Sequence, residues 1–164
     1  MTAKVSIIIG SESDLDLANK CGDVLKTINI DFSINVFSAH RTPDLLHDHI
    51  QRGEEGGTEI YIAIAGLAAH LAGSIASKTV KPVIGIPGDG GPLNGFDSLL
   101  STVQMPKGIP VATVAVGSAG AANAGYLAAQ ILSLKYKEIA ESLISIRESN
   151  KKQVQETNKK LSGS

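Results

Sequence analysis

Ser38, His40 and Arg41 lie within one short segment, Ser38-Ala39-His40-Arg41-Thr42-Pro43, which gathers a hydroxyl, an imidazole and a guanidinium. Imidazole titrates near neutral pH and suits proton transfer. A guanidinium presents a fork of donors that matches a phosphate. The segment follows an apolar, β-rich run and opens a helical pattern, so it reads as a strand-to-helix turn whose N–H groups favour anions. A second turn, Gly10-Ser11-Glu12-Ser13-Asp14, ends another apolar run in the same way. Ser11, Ser13, Ser38 and Arg41 are therefore candidate phosphate ligands, and Asp14 is a candidate acceptor for ribose hydroxyls. The bland alternative is that the serines and Asp14 only cap a helix. Neither turn has the spacing of a Walker A loop or a G-x-G-x-x-G fingerprint, which argues against a nucleoside triphosphate or a dinucleotide. The expected ligand is a phosphorylated small molecule with proton-transfer chemistry beside it.

The four histidines separate by position. His47 and His49 are two residues apart on one expected helix, so they do not share a face and read as surface or half-buried residues. His40 and His70 each follow a strand. His40 is the better acid–base candidate because Arg41 and a bound phosphate would lie beside it. His70 sits in an apolar turn, Gly66 to Gly73, where it either lines the site or satisfies a local carbonyl. Two histidines without a third convergent ligand make no case for a metal. Cys21 is the single cysteine, which excludes an internal disulfide, and its place on an apolar helix stripe points to core packing. Gly85 to Pro106 holds five glycines and three prolines. Its Gly88–Gly91 portion reads as a tight or mobile loop, either closing over a ligand or simply connecting elements.

The elements that must position these residues follow from hydrophobic patterning. Five apolar, β-rich runs stand at Val5–Ile9, Phe32–Phe37, Ile60–Ala65, Val83–Ile86 and Val111–Val116. Most are nearly continuous rather than alternating, as in parallel strands buried on both faces. Between them, Leu17, Ala18, Cys21, Val24, Leu25 and Ile28 form one helix stripe. Thr42-Pro43 supplies an N-cap and a first-turn proline for a helix running to about Glu55. Ala68–Thr79 and Phe96–Gln104 read as two more helices. The strand–helix alternation predicts an α/β fold: a doubly wound, flavodoxin-like three-layer αβα sandwich on a five-stranded parallel sheet. Ligands of such sheets bind outside the carboxyl ends of the strands, where Gly10–Asp14, Ser38–Pro43 and Gly66–Gly73 converge.

Beyond the last strand, Ala121–Leu134 is small and apolar on nearly all sides and is expected to be buried. Ile139, Leu143, Ile146, Asn150 and Val154 then make a narrow stripe on a polar helix, a C-terminal extension over about 135–158. A stripe that narrow is expected to dock on a neighbouring subunit, the alternative being a solvent-frayed tail, and Lys159–Ser164 is expected to be disordered. The whole of 1–164 reads as a single domain.

Composition narrows the function classes. Of 164 residues, 43% are apolar and 19% charged, which supports a packed core and excludes disorder. The formal net charge of −1 gives no basic surface for nucleic acid and no polybasic patch for a membrane. No run is long enough to span a bilayer and the chain leads straight into a strand, so a cytoplasmic protein is expected. Seventeen glycines, no tryptophan and 4% aromatics leave little bulk for a self-sufficient core, so subunit contacts are expected to supply part of the burial.

Taken together, several motifs resemble the PurE family, purine-biosynthesis enzymes that act on carboxylated aminoimidazole ribonucleotide. They are Gly10–Asp14, Ser38–Pro43, Ala68–Leu71, Leu93–Ser101, Val103–Ala115 and Asn123–Leu132, and the resemblance covers roughly Val5 to Leu134. It implies a flavodoxin-like subunit of a homo-octamer with no metal or organic cofactor. It implies His40 as the acid–base residue, and Ser11, Ser13, Asp14, Ser38, Ala39, Arg41, Gly66, Ala69, His70 and Leu71 as substrate contacts. The implied activity is that of a mutase, which moves a carboxylate from the exocyclic nitrogen of N5-carboxyaminoimidazole ribonucleotide to ring carbon 4. The family also holds a second class that adds free carbon dioxide to aminoimidazole ribonucleotide. Ile64, Leu67 and Ala72 stand where glycine, glycine and proline are usual in the family, and Gly88-Asp89-Gly90 departs from its usual loop start. A more distant reading is a non-catalytic, flavodoxin-like nucleotide- or flavin-binding module, against which the scarcity of aromatic rings for stacking counts.

Overall fold

The apolar runs at Val5–Ile9, Ile60–Ala65 and Val83–Pro87 become strands buried on both faces, whereas Phe32–Val36 and Ala112–Thr113, at the two edges of the sheet, are only partly covered. The computed structural model describes residues 3–163. Its five parallel strands are β1 (Val5–Ile9), β2 (Phe32–Val36), β3 (Ile60–Ala65), β4 (Val83–Pro87) and β5 (Ala112–Thr113), in the order β2-β1-β3-β4-β5. Val5 faces Phe32 on one side and Ile60 on the other, and Ile62 pairs with Ile84. This order reverses direction between β1 and β3, which opens a crevice at their carboxyl ends.

Two cores flank the sheet. Val5, Ile7, Ile9, Ile60, Ile62, Ile64, Ile84 and Ile86 point to α1 (Leu15–Thr27) and α5 (Gly117–Ser133). Ile8, Tyr61, Ala63 and Val83 point to α2 (Pro43–Gly56) and α3 (Leu71–Ala76). On that second face, α4 (Phe96–Val103) lies so close that a β-carbon on Gly85 would come 2.4 Å from the Thr102 methyl. The glycine content thus has a specific use, since it lets a helix approach the sheet backbone. Cys21 is buried in the first core, and burial pushes its thiol up to about 12, as an inert packing residue requires.

Four expectations change. The fifth strand shrinks to Ala112–Thr113, because only these two residues pair with β4, opposite Ile84 and Gly85 at the edge of the sheet. The third helix is six residues rather than twelve, because residues 66–70 are consumed by a turn in which Leu67 has φ 54°. On α5, a single stripe is buried (Gly117, Gly120, Ala121, Ala124, Gly125, Ala128, Ala129 and Leu132), while Asn123 and Gln130 are exposed. Its small side chains serve close contact with α1, where a β-carbon on Gly125 would sit 2.9 Å from Val24 Cβ. The C-terminal helix α6 (Lys137–Ser162) continues past Lys159 without fraying, and Ser164 lies outside the described residues. Its stripe divides: Ile139 is buried and Leu143 and Ile146 pack on the chain's own first core, whereas Asn150 and Val154 are exposed.

The junction before α6 is held at the amino end of the sheet. Glu59, just ahead of β3, accepts from Tyr136 Oη at 2.5 Å and Lys135 Nζ at 2.9 Å, with Lys4 Nζ at 3.6 Å. The Lys4 ammonium also lies 3.9 Å from the centre of the Tyr136 ring. Burial alone would raise the Glu59 carboxyl. Hydrogen bonds from Tyr136 and Lys135 and the two lysine charges outweigh it and hold the carboxyl below its ordinary value.

Candidate active site

The turn after β1 folds on its own hydroxyls. Ser11 caps a short 3-10 turn over Glu12–Asp14: its Oγ accepts from Ser13 N at 3.2 Å, and Asp14 Oδ2 accepts from Ser11 N at 3.2 Å. This is a reciprocal capping box. The capping role and the ligand-binding role therefore coincide, since the Ser11 and Ser13 hydroxyls also pair at 2.5 Å and face a cleft. Burial raises the Asp14 carboxyl above its ordinary value, against the backbone N–H groups of Ser11 and Gly10, which lower it.

The turn after β2 is fastened by Thr42 rather than capped by it. Thr42 Oγ1 accepts from Ser38 N at 3.0 Å and donates to Ser38 O at 3.2 Å, while Pro43 occupies the first turn of α2. Ser38 Oγ in turn accepts from Arg41 N at 3.1 Å. The Arg41 guanidinium reaches the Gly10 carbonyl at 3.3 Å, which ties the first two turns together.

The third turn brings the second histidine. His40 Nε2 lies 2.7 Å from His70 Nδ1, with the rings edge to face and their centres 4.9 Å apart. One nitrogen donates and the other accepts, so the pair shares a proton and fixes the orientation of both rings. The open question about His70 is thereby answered: its partner is the His40 ring, not a local carbonyl. His47 is exposed and takes no part, as expected. His49 is half-buried under Phe37 with Nε2 2.9 Å from Ser6 Oγ, away from the cleft. Burial, then the charge of Arg52, lowers its pKa.

These turns line a cleft of about 750 Å³ at the carboxyl edge of the sheet. Every sequence-predicted site residue except one lines it: Ser11, Ser13, Asp14, Ser38, Ala39, His40, Arg41, Gly66, His70 and Leu71. Ala69 is the exception. It is buried behind the turn, in the packing of helices on the sheet. Gly88–Gly91 forms the opposite wall. Lys20, donating to Ser118 Oγ at 2.9 Å, adds a cation that sequence reasoning missed. Its only signal is that Lys20 falls a helical turn after Asp16 and Leu17, which also line the cleft.

Paired hydroxyls and a guanidinium for an anion, with an imidazole pair beside them at the switch point of a 2-1-3-4-5 sheet, define an α/β enzyme domain for a phosphorylated small molecule. Residues 4–153 match the model of the AIR carboxylase family, and the chain belongs to that family. It is 52% identical over 149 residues to the N5-carboxyaminoimidazole ribonucleotide mutase of Pyrococcus abyssi, covering 91% of this chain and 84% of the relative. It is 48% identical over 161 residues to the mutase of Bacillus subtilis, covering 98% and 99%. The crystal structure of Treponema denticola PurE superposes with a TM-score of 0.88 at 35% identity, over 96% of this chain and 97% of that one. Among the described residues no helix is long and apolar enough to cross a membrane.

Proposed function

We propose that this chain is an N5-carboxyaminoimidazole ribonucleotide mutase of purine biosynthesis, an isomerase with His40 as its acid and base. The observation that carries the reading is the His40–His70 pair, 2.7 Å apart beside the Ser11, Ser13 and Arg41 donors. The substrate phosphate binds those donors and Ser38, Asp14 takes the ribose hydroxyls, and Ala39, Gly66 and Leu71 shape the space around the ring.

In the first step His40 is protonated. The bond between the exocyclic nitrogen and the carboxylate carbon breaks, its electron pair stays on nitrogen, and His40 supplies the proton that nitrogen takes. Aminoimidazole ribonucleotide and carbon dioxide remain in the cleft. Ring carbon 4 then attacks carbon dioxide, and neutral His40 removes the ring proton. The proton lent in the first step is recovered in the second, so one imidazole serves both. The His70 contact holds the His40 ring in place through the cycle. Retention of carbon dioxide matters because a trapped reactant has a high effective concentration.

The chain is proposed to work in the cytoplasm, since a phosphorylated intermediate does not leave the compartment where it is made. It is proposed to assemble as a homo-octamer. Phe96, Leu100 and Val103 repeat at helical spacing on α4 with their apolar side chains exposed, and the distal α6 stripe is likewise open, which supports burial against further copies of the chain.

The family name favours one other reading, direct carboxylation of aminoimidazole ribonucleotide by carbon dioxide. A paired assay separates the two. One arm supplies N5-carboxyaminoimidazole ribonucleotide without bicarbonate; the other supplies aminoimidazole ribonucleotide with bicarbonate. Efficient formation of the carbon-carboxylated product in the first arm only is expected. Turnover in the second arm only would make the protein a carboxylase.

A further inference from the structure

Three non-glycine residues among those described have positive φ: Asn29, Asn94 and Leu67. Asparagine visits that region readily because its side chain can hydrogen-bond locally, whereas leucine gains no such compensation. Leu67, at φ 54°, is also not buried. The residue is 54% exposed and lines the cleft.

Two contacts join this turn to the opposite wall. At the base, Gly88 N donates to Ala65 O at 2.9 Å, and a β-carbon on Gly88 would come 3.2 Å from the Gly66 backbone. At the crest, a β-carbon on Gly91 would come 2.5 Å from Leu67 Cδ2. The end of the leucine therefore rests directly on the Gly91 backbone, and the third turn and the glycine loop are closed on each other at both levels. His70, three residues further along the same turn, faces His40 inside the cleft. The wall that Leu67 completes is thus the wall beside the reacting groups.

We infer that Leu67 is a closing residue of this cleft, whose apolar side chain, laid on Gly91, retains carbon dioxide between its release from nitrogen and its capture by carbon. The inference rests on the mutase reading. The ribonucleotide is held by its phosphate and ribose, but carbon dioxide carries no charge for Arg41 or Lys20 to grip. Only a wall that excludes water and leaves no exit keeps it in place. An aliphatic side chain does this, and its cost in backbone conformation is consistent with a placement set by function.

The test uses substrate labelled with carbon-13 in the migrating carboxylate, in unlabelled bicarbonate buffer, with the native chain, Leu67→Gly and Leu67→Asn. Both replacements suit a left-handed backbone, so both are expected to fold. Glycine removes the side chain, while asparagine keeps its bulk and makes it polar. The native chain is expected to keep the label in the carbon-carboxylated product. Both variants are expected to release free aminoimidazole ribonucleotide and to lose label several-fold more, with little change in KM. Label retention equal to native in both variants overturns the inference. Retention by Leu67→Asn with leakage by Leu67→Gly also overturns it, because the side chain would then be a steric prop. A native chain that makes no carbon-carboxylated product defeats the mutase reading itself, a result visible without either variant.

Discussion

Both ends of the sheet carry a cluster of charged and hydroxylic side chains, and they differ in how far they satisfy themselves. At the amino end, the Glu59 oxygens are taken by Tyr136, Lys135 and Lys4, and the lysines also lie against the Tyr136 ring. At the carboxyl end, the Arg41 guanidinium has one long hydrogen bond, to Gly10 O, and the Ser11 and Ser13 hydroxyls have each other. The first cluster closes a structural joint. The second keeps donors turned to a cleft, with a carboxyl raised by burial at Asp14 and a leucine in a left-handed conformation beside it. Polar residues that complete one another hold a fold; polar residues left short of partners are ready for a ligand.

The sharpest way to break this contrast is His40→Asn. Turnover is expected to fall by about 10²–10⁴, with an unchanged melting temperature and retained binding of aminoimidazole ribonucleotide by titration calorimetry. Near-normal turnover would remove His40 from the chemistry. The complementary change at the other end is Tyr136→Phe, which deletes one half-exposed hydrogen bond to a carboxylate. It is expected to cost about 1 kcal/mol and to lower the melting temperature by roughly 2–4 °C, with kcat/KM unchanged. Lost activity at full stability would mean that the amino-end joint reaches the site.

The smallest expected effect concerns His49, which belongs to neither cluster. Its folded-state pKa is lowered, so the neutral ring is favoured by folding. The stability it contributes is complete above the ordinary histidine value and is lost as pH falls through the lowered one. Denaturation midpoints measured from about pH 7.5 to about pH 5 should therefore drop less for His49→Gln than for the native chain. Equal drops would show that the acid loss arises elsewhere.

Much of this was legible along the chain. Val5–Ile9 and Ile60–Ala65 are strands to the residue, because a run apolar on both faces has one stable place, the middle of a covered sheet. The turns Gly10–Asp14 and Ser38–Pro43 were legible because their hydroxyls act within a few residues, as caps and as fasteners. The edge strand and the third helix were not. Ala112–Thr113 is cut short where pairing partners end, and Leu71–Ala76 starts late because Leu67 and its neighbours answer to Gly88 and Gly91 instead of to helix propensity.

The sequence by itself determined the layers, the polar turns and the place of His40 at the carboxyl edge of the sheet, since each depends on residue type and short-range spacing. Tertiary structure alone decided that His70, thirty residues away, bonds to His40. It also decided that Lys20 joins the cleft, that Ala69 turns inward, that α6 lies first on its own core, and that Leu67 meets Gly91. The physical reason is common to all five. Each is a contact between elements brought together only by the packing of helices on the sheet, and no local preference of the chain encodes it.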